Sequence, residues 1–169
     1  MNEIPYMQRV DIDAMAKLLN ERKPEKVLEY GAGASTIYWP KRCQFIKLWV
    51  AIEHDQEWAS TVIEQTLLAK LPYIVCVMDE QMQSYVNPPA EFVPFDLIVV
   101  DGIHRIECVR ESEKYLLPGG VVLLHDADRL EYKLVLDMYP HHEFLTHGNT
   151  PDGKGGMKRD GLLLMWGDA

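Results

Sequence analysis

One apolar run that ends in a glycine-spaced turn constrains this chain most: Val27-Leu28-Glu29-Tyr30 leads straight into Gly31-Ala32-Gly33-Ala34-Ser35-Thr36. A strand that stops at such a turn must bend sharply, and the missing Cβ atoms let backbone amides approach a ligand closely. Past Gly33 a second apolar run, Trp49-Val50-Ala51-Ile52, ends in the acidic Glu53. A strand, a glycine turn and a further strand closing on an acid form the opening of a doubly wound α/β sheet.

The rest of the chain continues the alternation. Val10, Met15, Leu18 and Leu19 recur at near-helical spacing ahead of Pro24, so residues 10–22 are expected to form an amphipathic helix. Strands are expected near 26–30, 49–53, 73–78, 95–101, 119–125, 142–147 and 161–166, and helices near 35–41, 56–70, 104–116 and 129–138. Leu97-Ile98-Val99-Val100 and Val121-Val122-Leu123-Leu124 are unbroken apolar runs, as befits strands covered by helices on both faces. No helix separates the last two strands, only a glycine-rich loop over 148–160. The expected architecture is therefore a mostly parallel seven-stranded sheet whose last strand returns antiparallel.

Bulk properties exclude several classes of function. At 169 residues one sizeable core is expected, hence a single domain. Lys and Arg number 17 against 26 Asp and Glu, a formal charge of −9, which repels a polyanion; nucleic acid is not an expected partner. No apolar run approaches the roughly 20 residues of a membrane span, and the N-terminus lacks the basic and apolar regions of a signal peptide. A cytoplasmic location follows as the expectation. Cys43, Cys76 and Cys108 are too scattered for a disulfide framework or a zinc site and read as small buried groups.

The turn has two readings. Gly31 and Gly33 could serve only a tight bend, with Ser35 and Thr36 capping the next helix and Glu53 a solvated strand end. Alternatively, amides beyond the first strand receive a phosphate or carboxylate while Glu53 accepts ribose hydroxyls. A dinucleotide fingerprint would want glycine at Thr36. Glu29, just before the first glycine, would repel a pyrophosphate but suits a ligand carrying ammonium and sulfonium charges.

At this point the sequence resembles the class I S-adenosylmethionine-dependent methyltransferases. Their first motif matches Glu29-Tyr30-Gly31-Ala32-Gly33, their acid after strand two matches Glu53, their fourth-strand motif matches Phe95 to Gly102, and their fifth-strand turn is similar to Leu117-Pro118-Gly119-Gly120. The resemblance implies that Glu29, Gly31, Ala32, Gly33, Ser35, Thr36 and Asp101 surround the amino-acid end of the cofactor. It further implies that Glu53 holds the ribose and that His54 and Asp79 flank the adenine.

Acceptor chemistry belongs on the carboxyl edge of the sheet, where Asp101, His104, His125 and Asp126 follow strands four and five; these are the candidate catalytic residues. The Asp101-Gly102-Ile103-His104 fragment with Pro118-Gly119-Gly120 and His125-Asp126 resembles small-molecule O-methyltransferases, including the catechol type. That likeness implies a divalent ion on Asp101 and Asp126, with Asp128 compensating for Ala127, which stands where metal-dependent relatives carry asparagine. The stretch His125 to Tyr132, with Ile52 to Trp58, is similar to the glucuronoxylan O-methyltransferase family, which methylates a sugar hydroxyl beside a uronate. In that light Lys154, Lys158 and Arg159 would contact an acidic acceptor.

The expected activity is thus methyl transfer from S-adenosylmethionine to a hydroxyl of a sugar or other small polar acceptor. The competing readings are a non-catalytic module that binds an adenosyl cofactor and a nicotinamide-dependent reductase. Because the N-terminal helix is short, one side of the cofactor is thinly covered, and a second subunit of a homodimer could close it.

Overall fold

A computed structural model describes residues 4–71, 74–78, 82–148 and 160–168. Its frame is one seven-stranded sheet in the order β3-β2-β1-β4-β5-β7-β6. The strands are β1 (Lys26–Tyr30), β2 (Leu48–Glu53), β3 (Ile74–Met78), β4 (Phe95–Val100), β5 (Leu116–His125), β6 (His141–Phe144) and β7 (Leu162–Trp166). Pairing is parallel from β3 through β5, whereas β7 runs antiparallel to both β5 and β6. The expected doubly wound sheet and its reversed last strand are both present.

Alternation along each strand feeds two cores. Val27, Trp49, Ala51, Leu97, Val99, Leu123 and Leu164 face one side, where they meet Met15, Leu19 and Trp39 from helices α1 (Arg9–Arg22) and α2 (Ser35–Arg42). Leu28, Tyr30, Val50, Ile52, Ile98, Val100 and Leu124 face the other, against Cys108 and Val109 of α5 (Arg105–Ser112). Helix α3 (Gln56–Leu68) sends Val62 to the first core and begins at Asp55, whose carboxylate accepts the Trp58 amide at 2.8 Å. Each fully buried large aliphatic chain is worth about 1.5–3 kcal/mol, so the cores on both faces fix the strand tips. Cys43 and Cys108 are free and buried, as expected.

Several boundaries differ from the sequence reading. β5 starts at Leu116 rather than near 119, because Leu116 pairs with Phe95; Pro118, which lacks an amide, and Gly119, with φ +80, then interrupt the ladder, so the register against β4 slips between Phe95 and Leu97 before Val121 resumes it. The segment expected as a helix over 129–138 is a 3₁₀ helix, Leu130–Asp137, entered by the Arg129 N–H to Asp126 carbonyl bond of a turn in which Asp126 has φ +59. Ahead of β4, where no element was expected, stands a short helix, α4 (Met82–Tyr85), that seals Tyr85 into the second core. No helix among the described residues is long and apolar enough to cross a membrane.

Candidate active site

Strand order reverses between β1 and β4, and open α/β sheets bind ligands at that switch point. Here the turns after the two strands press together: a Cβ on Gly31, which has φ +93, would lie 2.6 Å from the Gly102 Cα. Beyond them opens a cleft of about 1230 Å³, lined among others by Gly31 to Ser35, Glu53, His54, Trp58, Asp101, His125 and Asp126. Gly33 is different from Gly31. A Cβ there would meet no atom within 4 Å, and its backbone is not left-handed, so neither packing nor conformation calls for glycine. The space it leaves open belongs to the cleft.

Glu53 is buried at the end of β2 and lines that cleft. Its Oε2 accepts the Ala32 amide at 3.0 Å, and its Oε1 accepts the amides of His54 at 2.8 Å and Asp55 at 3.0 Å. The His54 Nδ1 lies 2.7 Å from the same Oε1. The carboxylate thus ties the first glycine turn to the start of α3, with lone-pair capacity on Oε2 left for a ligand hydroxyl. Trp58 stands on the wall of the cleft and donates its indole N–H to the Ala32 carbonyl at 2.7 Å.

Glu29 and Thr36 do not line the cleft, contrary to expectation. They lie beneath the turn: the Glu29 carboxylate accepts the Ser35 hydroxyl, the Thr36 hydroxyl at 2.6 Å and the Trp49 indole at 2.9 Å. Burial pushes its pKa up to about 7 against the pull of those three bonds. Thr36 accepts the Gly33 amide at 2.9 Å, so the pair holds the turn from below while Ser35 and Ala32 reach the cleft. The physical reason is depth along the strand: Glu29, on the same face as Val27, stands opposite Ala51, two positions short of Glu53, and so lies under α2.

Across the cleft lies an alternating chain of charges. Asp101 Oδ1 meets His125 Nδ1 at 2.8 Å and Arg105 Nη2 at 3.1 Å. Arg105 also donates to Asp126 Oδ2 at 3.1 Å and to the carbonyls of Gly102, His125 and Asp101. Arg129 donates to the same Asp126 oxygen. On the far side of His125 stands Asp11 of α1, its Oδ2 3.8 Å from His125 Nε2 and its Oδ1 accepting the Thr146 hydroxyl.

Burial alone would lower the His125 pKa; the bond to Asp101 and the nearby carboxylates of Asp11, Asp101 and Asp126 outweigh it and push the pKa up to about 10. At neutral pH His125 is therefore an imidazolium, a donor rather than the base that its position had suggested.

The ligand atoms of Asp101, His125 and Asp126 lie within 4.8 Å of one another, close enough for an ion. Their charges are already balanced by Arg105, Arg129 and the imidazolium, however, and a divalent cation would have to displace them. The donor set does not fit a metal. Asp128 is no part of it, because its carboxylate accepts the Gly148 amide and pairs with His147 at 3.0 Å. His104 is also separate: it precedes α5 with φ +49, its ring centroid 6.1 Å from that of Tyr85, and it does not line the cleft. Asp79, Lys154, Lys158 and Arg159 lie outside the described residues.

Asp11, Arg105, Arg129 and Trp58 were not singled out from sequence. Arg105 follows Asp101 by four and Arg129 follows Asp126 by three, spacings that bring opposite charges together in a helix or turn. Asp11 falls on the apolar stripe of α1 with Met15 and Leu18, where an acid signals a buried partner.

A switch-point cleft with a glycine cradle, a buried acid at the end of β2 and a charged far wall is the arrangement of class I S-adenosylmethionine-dependent methyltransferases, and this protein is one. Residues 28–127 match the family model Methyltransf_24, a methyltransferase domain, and the chain belongs to that family.

Solved structures share the fold. A protein assigned as an O-methyltransferase from Klebsiella pneumoniae superposes with a TM-score of 0.71 at 20% identity, over 98% of this chain and 84% of that one. The O-methyltransferase TomG from Streptomyces achromogenes, involved in tomaymycin synthesis and solved in complex with SAM, gives a TM-score of 0.71 at 17% identity with the same coverage, 98% and 84%. The 16S rRNA N2 G1207 methyltransferase of T. thermophilus, with AdoMet and guanosine, gives 0.67 at 18% identity, over 96% of this chain and 44% of that one. A search of curated protein sequences gives no match.

Proposed function

We propose that the protein methylates a hydroxyl of a small polar acceptor, a sugar in the first instance, and does so without a metal ion. The observation that carries the cofactor half is Gly33, a glycine demanded by neither φ nor packing and facing open cleft. Residues Gly31 to Ser35 would receive the amino-acid end, Glu53 the ribose and His54 the adenine side. Bound there, S-adenosylmethionine supplies an electrophilic methyl group. A nicotinamide dinucleotide is disfavoured by Thr36, which is fully buried and holds Glu29 where that fingerprint needs glycine.

The cleft of about 1230 Å³ exceeds the 300–1,000 Å³ typical of a single ligand site, leaving room for an acceptor beside the cofactor. Asp101 follows β4, the strand next to β1, and lies toward the cofactor; Asp126 follows β5, one strand further, and lies toward the acceptor. The Oδ1 of Asp126 makes no hydrogen bond among the described residues, the His125 Nε2 standing 3.8 Å away, and would take the hydroxyl proton. Support for a sugar hydroxyl comes from the likeness of His125 to Tyr132 to the glucuronoxylan-modifying enzymes. Arg129, with its side chain 40% exposed on the rim, would join Lys154, Lys158 and Arg159 in meeting an acidic acceptor.

Isothermal titration with S-adenosylhomocysteine and with NAD tests the cofactor, and methyl consumption across neutral glycosides, uronates and catechols tests the acceptor. Micromolar binding of the first, none of NAD and turnover on a glycoside or uronate is the expected result. Cofactor binding without turnover on any acceptor would instead identify a non-catalytic module.

A further inference from the structure

We propose that Asp11, in the first turn of α1, is a positioning residue of the cofactor site: by sharing His125 it keeps the cleft-facing Asp101 available to a cationic ligand group. The inference rests on the cofactor reading above. It makes the N-terminal helix part of the machinery rather than a lead-in to the sheet.

The geometry is a relay of three side chains from three elements. Asp11 is 1% exposed and His125 is 5% exposed, so neither is a solvated surface charge. Asp11 Oδ2 and His125 Nε2 face each other at 3.8 Å, and both are buried without a hydrogen-bond partner. On its other side His125 grips Asp101 Oδ1 at 2.8 Å. Oδ2 of Asp101 has no protein partner among the described residues, and Asp101 lines the cleft.

Charge counting gives the direction of the effect. Asp11, Asp101 and Asp126 balance His125, Arg105 and Arg129, so the cluster is neutral. Without Asp11 it carries one net positive charge, and Asp101 is left between two cations, His125 and Arg105, with only Asp126 Oδ1, 3.8 Å from the His125 Nε2 and itself paired through its other oxygen with Arg105 and Arg129, to offset the first. A ligand ammonium approaching Asp101 would then meet repulsion where it now meets an available carboxylate. A structural ion pair alone would instead cost stability and leave ligand discrimination unchanged.

Two ligands separate these cases. S-adenosylhomocysteine carries the ammonium; 5′-methylthioadenosine has the same nucleoside but no amino-acid end. Asp11→Asn should weaken S-adenosylhomocysteine by about tenfold, the effect of losing one hydrogen bond to a charged group, while 5′-methylthioadenosine changes by less than about twofold.

His125→Gln removes the cation that Asp11 offsets and leaves the cluster with one net negative charge, so S-adenosylhomocysteine should bind at least as tightly as to wild type; this variant decides the matter if Asp11→Asn does not fold, and selective weakening of S-adenosylhomocysteine by it would overturn the charge argument. Equal weakening of both ligands by Asp11→Asn, or no weakening of either, would overturn the role of Asp11. Failure of the wild-type protein to bind S-adenosylhomocysteine at all would instead overturn the cofactor reading.

Discussion

Gly31 and Gly33 stand two residues apart in one turn, yet substitution by alanine should have opposite consequences. At Gly31 the φ of +93 costs an L-residue about 1–2 kcal/mol. The new Cβ would also sit 2.6–2.9 Å from the backbone of Gly102 and Asp101, which two strands hold in place. Overpacking of that kind adds about 1–3 kcal/mol, so Gly31→Ala should lose roughly 2–5 kcal/mol and, at about 2–4 °C per kcal/mol, lower Tm by about 4–20 °C.

At Gly33 the Cβ meets nothing within 4 Å, and reduced freedom of the unfolded chain should leave stability unchanged or raised by about 0.4–1 kcal/mol. The methyl projects into space reserved for the cofactor, however. Overpacking there should weaken S-adenosylhomocysteine by about 1–3 kcal/mol, roughly 5- to 150-fold in Kd. Thermal unfolding without ligand and titration calorimetry read the two effects separately. Unaltered affinity in a stable Gly33→Ala protein would refute the assignment of that space to the cofactor.

Glu53→Ala should weaken S-adenosylhomocysteine by about 1–3 kcal/mol through loss of a charged acceptor, and should also lower Tm because the Ala32, His54 and Asp55 amides lose their partner; a calorimetric Kd equal to wild type would count against its ribose role. Methyl transfer should continue undiminished in EDTA and gain nothing from Mg²⁺, since Arg105 already bridges Asp101 and Asp126; activity that vanishes with chelator and returns with the ion would restore the metal. Stability should fall as pH rises. Glu29 has its folded pKa raised from 4.5 to about 7, so its contribution is complete below 4.5 and lost as pH passes through 7. His125, raised from 6.5 to about 10, contributes below 6.5 and loses that contribution as pH passes through 10. Urea unfolding across this range should show Glu29→Gln without the fall between pH 4.5 and 7, and a wild-type profile flat over that interval would contradict the buried state of Glu29.

Local pattern carried the frame of the molecule because strands buried on both faces must be continuous apolar runs, and each here announces its own end with a glycine or an acid. The reversal of β7 was equally legible, since the glycine-rich sequence between it and β6 carries no helical pattern. The direction of a side chain at a strand tip was harder. Glu29 and Glu53 both close apolar runs before a turn, but Glu29 lies one residue inside β1, with Tyr30 still to come, while Glu53 is the last residue of β2. In register Glu29 stands opposite Ala51, two positions short of Glu53, and that depth puts the first under α2 and the second in the cleft.

The charged wall obeys a different rule, because its pairings cross the sheet. Nothing local to His125 reveals that α1 will deliver Asp11 to its far side, 114 positions earlier in the sequence. Motif resemblance finds acids at strand ends and suggests a metal, but the species that balances those acids depends on what the next turn of helix supplies. In this chain Arg105 and Arg129 supply it from spacings of four and three. An acid pair followed at those spacings by arginines is therefore better read as a self-neutralised wall than as an open ligand set, and the chelator experiment measures that distinction directly.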